Sequence, residues 1–161
     1  MIFRCTASAF PLRTREVEVR KIILILFLLF ISQMVSARLV IIVNARNPIS
    51  AVSTSYLKNI FLGIKTRWED GKIIKAVNLH PAQRVRTLFE SEFLKMDSIK
   101  VQRYWIKQAI RGNINAPATV NFEEKVLQFV VQHPDSIGYL EQSTLQKYPE
   151  FFKQVKILLI Q

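Results

Sequence analysis

Arg38 to Asn44 reads RLVIIVN, a short run of continuous apolar and β-branched residues. Apolar and polar positions do not alternate along it, so both of its faces are expected to be covered, as in a buried strand. Asn47-Pro48 then breaks the chain. A helix is expected after Ser53, a good N-cap, with Tyr56, Leu57, Ile60 and Phe61 at helical spacing and Gly63 placed to end it. Glu69-Asp70-Gly71 is a turn signal, and Lys72 to Leu79 (KIIKAVNL) reads as a second strand.

The alternation continues downstream. His80-Pro81 marks the expected start of a helix running to about Lys95 and burying Val85, Leu88, Phe89 and Phe93. Ser98 is the expected cap of the next helix, which runs through Val101, Trp105, Ala109 and Ile110, has Val101, Trp105 and Ala109 on its inner side, and closes at Gly112. Asn113 to Thr119 reads as a loop. Asn121 with Glu124 gives a capping-box pattern for a helix ending near His133-Pro134. Ile137 to Leu140 is a third strand and Val155 to Ile160 (VKILLI) a fourth. The expected architecture is α/β, a single lobe with a mostly parallel sheet of about four to five strands flanked by helices.

The region before Arg38 has a different character. Ile22 to Ile31 (IILILFLLFI) contains no polar residue, follows Arg20-Lys21, and is succeeded by Ser32 to Ala37 (SQMVSA). This is the pattern of a secretory signal peptide over residues 1–37, with Val35 and Ala37 at the −3 and −1 positions. An uncleaved anchor is the alternative, although a span needs about 20 apolar residues. Residues 38–161 form the expected domain and the periplasm the expected compartment. Cys5, the only cysteine, lies in the expected leader. The rest of the chain therefore has no disulfide, thiolate metal site or cysteine nucleophile.

The whole chain carries a formal charge of +11, and from Arg38 onward 18 Lys and Arg face 10 Asp and Glu. Such a surplus favours an anionic partner. Export directs that expectation to phosphate, anionic lipid or an acidic protein, and away from nucleic acid. No Gly-x-Ser-x-Gly elbow and no carboxylate–histidine constellation occurs, so no catalytic residue is assigned and an enzyme is not expected. His80 and His133 are far apart and have no cysteine nearby, so neither a metal site nor a cofactor is assigned.

Several stretches taken in order resemble a known family. Val43-Asn44 with Asn47-Pro48, then Leu57 to Trp68 (LKNIFLGIKTRW), then Val77-Asn78-Leu79, then Phe129 to Tyr139 (FVVQHPDSIGY) are similar to passages of phosphate ABC-transporter substrate-binding proteins. The resemblance implies a periplasmic-binding-protein-like fold. Members of that family have two lobes closing over phosphate, and this chain is long enough for one. The family's Gly-Ser-Gly-Thr phosphate cradle is replaced by Leu79 to Thr87 (LHPAQRVRT). The implied function is an exported solute-binding module for phosphate or a phosphorylated anion, acting in phosphate uptake or sensing. A ligand-free adaptor that docks a partner or an anionic membrane through a basic surface is the alternative.

Candidate anion contacts follow from the strand-end rule, by which ligands lie beyond the carboxyl ends of the strands. That rule selects Arg46 and Asn47 after the first strand, and His80, Arg84, Arg86 and Thr87 after the second. Arg84 and Arg86 sit in the opening turns of a helix, where a cation is unfavourable by about 0.3–1 kcal/mol unless an anion joins it. Arg86 has Glu90 four residues on, an ordinary surface pair, whereas Arg84 has no partner at positions 80, 87 or 88. Lys100, Arg103, Lys107 and Arg111 are spaced to form one basic stripe, a candidate surface for a partner or a membrane.

Overall fold

Ile41, Ile42 and Val43 have almost no exposed surface, because the strand they belong to lies inside a five-stranded sheet. The computed structural model describes residues 38–112 and 115–161. The leader expected over residues 1–37 lies outside the described residues. The strands of the main sheet are β1 (Leu39–Asn44), β3 (Lys75–Leu79), β4 (Ala118–Val120), β5 (Ser136–Glu141) and β6 (Val155–Ile157), in the order β4-β3-β5-β1-β6. A separate two-stranded parallel sheet joins β2 (Ala51–Val52) to β7 (Leu159–Ile160). β4, β3 and β5 are mutually parallel, while β1 is antiparallel to both β5 and β6. Four of the five strands therefore point one way and β1 is the exception.

Helices cover both faces of the sheet. They are α1 (Thr54–Phe61), α2 (Arg84–Phe89), α3 (Ser98–Ile110), α4 (Glu123–Gln132) and α5 (Gln142–Lys147). A π-helical turn, Glu90–Leu94, continues α2. Neighbouring residues of a strand point to opposite faces, and Gly138 and Tyr139 show which helices lie where. A Cβ on Gly138 would stand 2.6 Å from Val126 Cγ1 of α4 and 2.8 Å from Val77 Cγ1. Tyr139 instead stacks on Phe89 at 3.9 Å between ring centroids and meets the edge of Phe61 at 5.7 Å, facing α1 and α2.

Local signals account for both ends of α1 and for the start of α3. Ser53 accepts the Tyr56 N–H at 3.1 Å and starts α1, while Gly63 leaves it with a φ of +68°. α3 is capped by Asp97, which accepts the Lys100 N–H at 2.8 Å, and not by Ser98 as expected. Ser98 turns inward to Glu90 instead. Two other expectations are corrected. α2 begins at Arg84, because His80 to Gln83 form a turn closed by the Gln83 N–H on the His80 carbonyl. α4 begins after Phe122 with no side-chain cap, so the Asn121–Glu124 capping box does not form; Glu123 and Glu124 complement the helix dipole in its first turn.

The expected loop over 113–119 contains the start of β4, and Val155 to Ile160 divides between the two sheets. Asn44, the last residue of β1, donates from Nδ2 to the carbonyls of Val130 (2.8 Å) and Val131 (3.0 Å). These are among the final carbonyls of α4, which have no partner within the helix. The sequence motif Val43-Asn44 thus fastens the reversed strand to a helix end.

Gly138→Ala is expected to destabilise the fold by about 1–3 kcal/mol, since the added methyl group must displace Val126 and Val77. Urea unfolding monitored by tryptophan fluorescence, with Trp68 in the core, measures the loss.

Candidate functional site

The reversed direction of β1 separates the two loops that the strand-end rule places together. Val43 pairs with Ile137 near the start of β5, and Lys75 at the start of β3 pairs with Ser136. The loop after β1 therefore lies at the amino end of β3, whereas His80 follows its carboxyl end. Arg46 and Asn47 are not brought together with His80, Arg84, Arg86 and Thr87. Arg46 is exposed, and its backbone N–H donates to Asn44 Oδ1 at 3.0 Å. Asn47 is buried, and its Oδ1 accepts the Ile49 N–H at 3.1 Å. Its Nδ2 has no hydrogen-bond partner among the described residues. Both residues shape a turn.

The carboxyl edge of β3 gathers the other candidates. His80 Nδ1 accepts the Ala82 N–H at 3.3 Å, a contact that holds the turn before α2. Thr87 is exposed on α2. Arg84 is the first residue of α2, and its side chain is 68% exposed. It has a partner after all. Its Nη2 donates to Glu141 Oε1 at 2.7 Å, across 57 residues of sequence, from the end of β5. Near neighbours at helical spacing could not reveal that contact.

Arg86 is also corrected. Its pair with Glu90, at 2.7 Å from Nε to Oε1, is buried, with side-chain exposures of 12% and 1%. Arg86 Nη1 donates to the Leu79 carbonyl at 2.7 Å, and Ser98 Oγ donates to Glu90 Oε2 at 2.6 Å. The end of β3, helix α2, the π turn and the start of α3 are thereby joined through one ion pair. Nearby, the Tyr139 hydroxyl donates to Asn78 Oδ1 and accepts the Leu79 N–H at 3.3 Å. Burial among the aromatic rings raises the Tyr139 pKa well above its usual value.

Two carboxylates that sequence reading missed share this edge. Glu141 pairs with Arg84, and the Glu141 N–H donates to Glu123 Oε2 at 2.5 Å. Burial raises the Glu123 pKa above 4.5, against the lowering effect of that hydrogen bond. An arriving anion would compete with Glu141 for Arg84. A groove of about 520 Å³ opens beside the edge, with Asn78, Arg86, Glu90, Trp105 and Thr119 among its walls.

Lys100, Arg103, Lys107 and Arg111 are all exposed on the outer side of α3, as their spacing predicts. The expected inner side is only partly so. Val101 is buried and Trp105 half-buried, but Ala109 is exposed. His133 Nδ1 lies 2.9 Å from the Phe129 carbonyl, a helix-end contact. Among the described residues no three His, Cys, Asp or Glu side chains come together as metal ligands.

Glu90→Ala would leave the Arg86 guanidinium buried without its carboxylate, and a loss of about 3–5 kcal/mol is expected in urea unfolding. Glu123 gives a separate pH signature. Because its pKa is raised in the folded state, the native protein binds more protons than the unfolded chain between 4.5 and that higher value. Stability contributed by Glu123 therefore falls as pH rises through this window. Glu123→Gln is expected to remove that part of the slope in melting temperature against pH, and an unchanged slope would exclude Glu123 as its source.

No protein-family model matches the chain, and no curated protein sequence is similar to it. Similarity is found among solved structures. An ABC-type phosphate transport receptor from Vibrio cholerae superposes with a TM-score of 0.57 at 19% identity, covering 76% of this chain and 45% of that one. PstS from Borrelia burgdorferi gives 0.58 at 14% identity, covering 76% and 46%. A protein from Clostridium perfringens, described as a phosphate ABC transporter substrate-binding protein with bound phosphate, gives 0.58 at 17%, covering 76% and 44%. This chain spans less than half the length of each. The chain thus has the fold of a single lobe of the phosphate ABC-transporter substrate-binding proteins.

Proposed function

We propose that this chain is an exported, single-lobe solute-binding module that takes phosphate or a phosphorylated anion at the carboxyl edge of β3, in phosphate uptake or sensing, and that it is not an enzyme. The observation that carries the reading is the state of Arg84. It begins a helix whose N-cap, Gln83, makes no side-chain capping bond, and its guanidinium is exposed with one carboxylate partner. The arginine end of the pair is open to solvent, which weakens it, so an anion that also meets N–H groups of the helix start can compete with Glu141. Arg86 is committed to Glu90 and to the Leu79 carbonyl, and its role here is to position the edge.

The likeness to binding proteins, one of them solved with phosphate bound, supports a solute-binding reading. The expected leader over residues 1–37 supports export to the periplasm. With one lobe the ligand stays open to solvent, which screens its charge, so affinity is modest.

A melting titration with phosphate, using sulfate and chloride as controls, tests the proposal by mass-action stabilisation of the native state. A saturable rise specific to phosphate is expected. Arg84→Ala should abolish it, whereas Arg46→Ala, at the other end of the sheet, should not. Glu141→Gln, which releases Arg84, should tighten binding about two- to fivefold. No rise, or an equal rise with every anion, would reject anion binding and leave the lobe as a ligand-free adaptor.

A further inference from the structure

Helix α3 faces the rest of the protein with few residues. Val101 is its one buried side chain, Tyr104 donates its hydroxyl to the Leu62 carbonyl at 2.7 Å, and Trp105 packs edge-on to Tyr104. The outer side is unusual for a solvated helix. Ile99, Ile106 and Ile110 are 61%, 54% and 83% exposed. Their spacing of seven and four residues aligns them along one stripe, which spans about 16 Å at the helical rise. Burying an aliphatic side chain of this size gains about 1.5–3 kcal/mol relative to leaving it in water. A solvated basic face does not require three of them in line.

The cations flank that stripe. Arg103 and Lys107 lie one turn from Ile99, Ile106 or Ile110, and Lys100 and Arg111 continue the same side. Lys100 pairs with Asp97 at 3.1 Å. Arg103, Lys107 and Arg111 have no ion pair among the described residues. The sequence contains no Asp or Glu between Asp97 and Glu123, so the positive field here is not offset from within the segment. Ile99 and Ile106 also rim the groove of about 520 Å³, where Trp105, Ala109 and Pro117 supply apolar wall.

We propose that the outer face of α3 docks an acidic, amphipathic segment of a partner protein. The partner's apolar side chains enter the groove beside Ile99 and Ile106 and cover Ile110, and its carboxylates meet Arg103, Lys107 and Arg111. This is the helix-in-groove mode of recognition with charges that select the partner. A second copy of this chain fits poorly, because a twofold contact would bring the same uncompensated cations together. A flat lipid surface would touch the isoleucines and leave the groove unfilled. The surface uses neither Arg84 nor Glu141, so its test is independent of phosphate binding.

The test is fluorescence anisotropy of the full chain with a labelled synthetic helical peptide built from leucine–glutamate heptads, and with its leucine–lysine counterpart, at about 0.15 M salt. Saturable binding of the glutamate peptide alone is expected. R103E combined with K107E should weaken it about tenfold or more, as should I106S combined with I110S. K147E combined with K153E, which change exposed cations elsewhere, should have little effect. The substituted side chains are exposed, so melting temperature should be retained and serves as the folding control. Absence of glutamate-peptide binding, or equal binding by all variants, overturns the proposal. It is also overturned if the α3 variants abolish attachment to phosphatidylglycerol vesicles or self-association in sedimentation, with no peptide bound.

Discussion

Glu90 carries a carboxylate at 1% exposure, and burying such a group is costly unless it is paired and hydrogen-bonded. Both of its oxygens are used, one by Arg86 and the other by Ser98, while its backbone carbonyl accepts the Met96 N–H. Arg86 in turn holds the last carbonyl of β3. The route from the sheet through α2 and its π turn into α3 is therefore organised around one ion pair. The neighbouring Tyr139–Phe89–Phe61 cluster supplies apolar burial but does not fix the direction of α3. That direction is set by Ser98 and Asp97, one bonded inward to Glu90 and the other capping the helix.

The same ion pair determines what the edge can do. Two arginines two residues apart lie at the start of α2, and helical spacing offers a carboxylate to Arg86 alone. Their environments make them different. Arg86 is locked by a buried carboxylate and a carbonyl, so withdrawing it to bind a ligand would strand Glu90. Arg84 is held by a pair with Glu141 whose arginine end is exposed and is weakened by solvent. Ligand-dependent change at this edge is confined to the cation whose partner is cheap to replace.

What was legible in the sequence was local. Ser53 and Gly63 bound α1 correctly because a cap and a left-handed glycine act within a few residues of the helix. The apolar strands and the α/β alternation were legible for the same reason. The reversed direction of β1 was not, since an apolar strand has the same pattern whichever way its neighbours run. That single ambiguity placed Arg46 and Asn47 on the wrong end of the sheet. Ala118 and Thr119 fall in the stretch expected as loop, which contains Pro117; pairing with β3, some forty residues earlier in the chain, makes Ala118–Val120 a strand. Arg84–Glu141 and Glu123–Glu141 likewise join residues too distant for any periodicity to link.

Charge and shape separate two surfaces of the lobe. The carboxyl edge of β3 is nearly balanced, with Arg84 beside Glu141 and Glu123, and Arg86 neutralised by Glu90. Four cations, Lys100, Arg103, Lys107 and Arg111, lie instead along α3 in a segment without a single acidic residue, beside the exposed isoleucines. A net positive charge by itself would have pointed to a small anion at the strand ends. Its location changes the inference, because a phosphate could be served by Arg84 alone, while a row of cations beside an apolar groove fits a ligand that is both long and amphipathic. The lobe's overall basicity is thus an argument about α3 more than about the strand-end site.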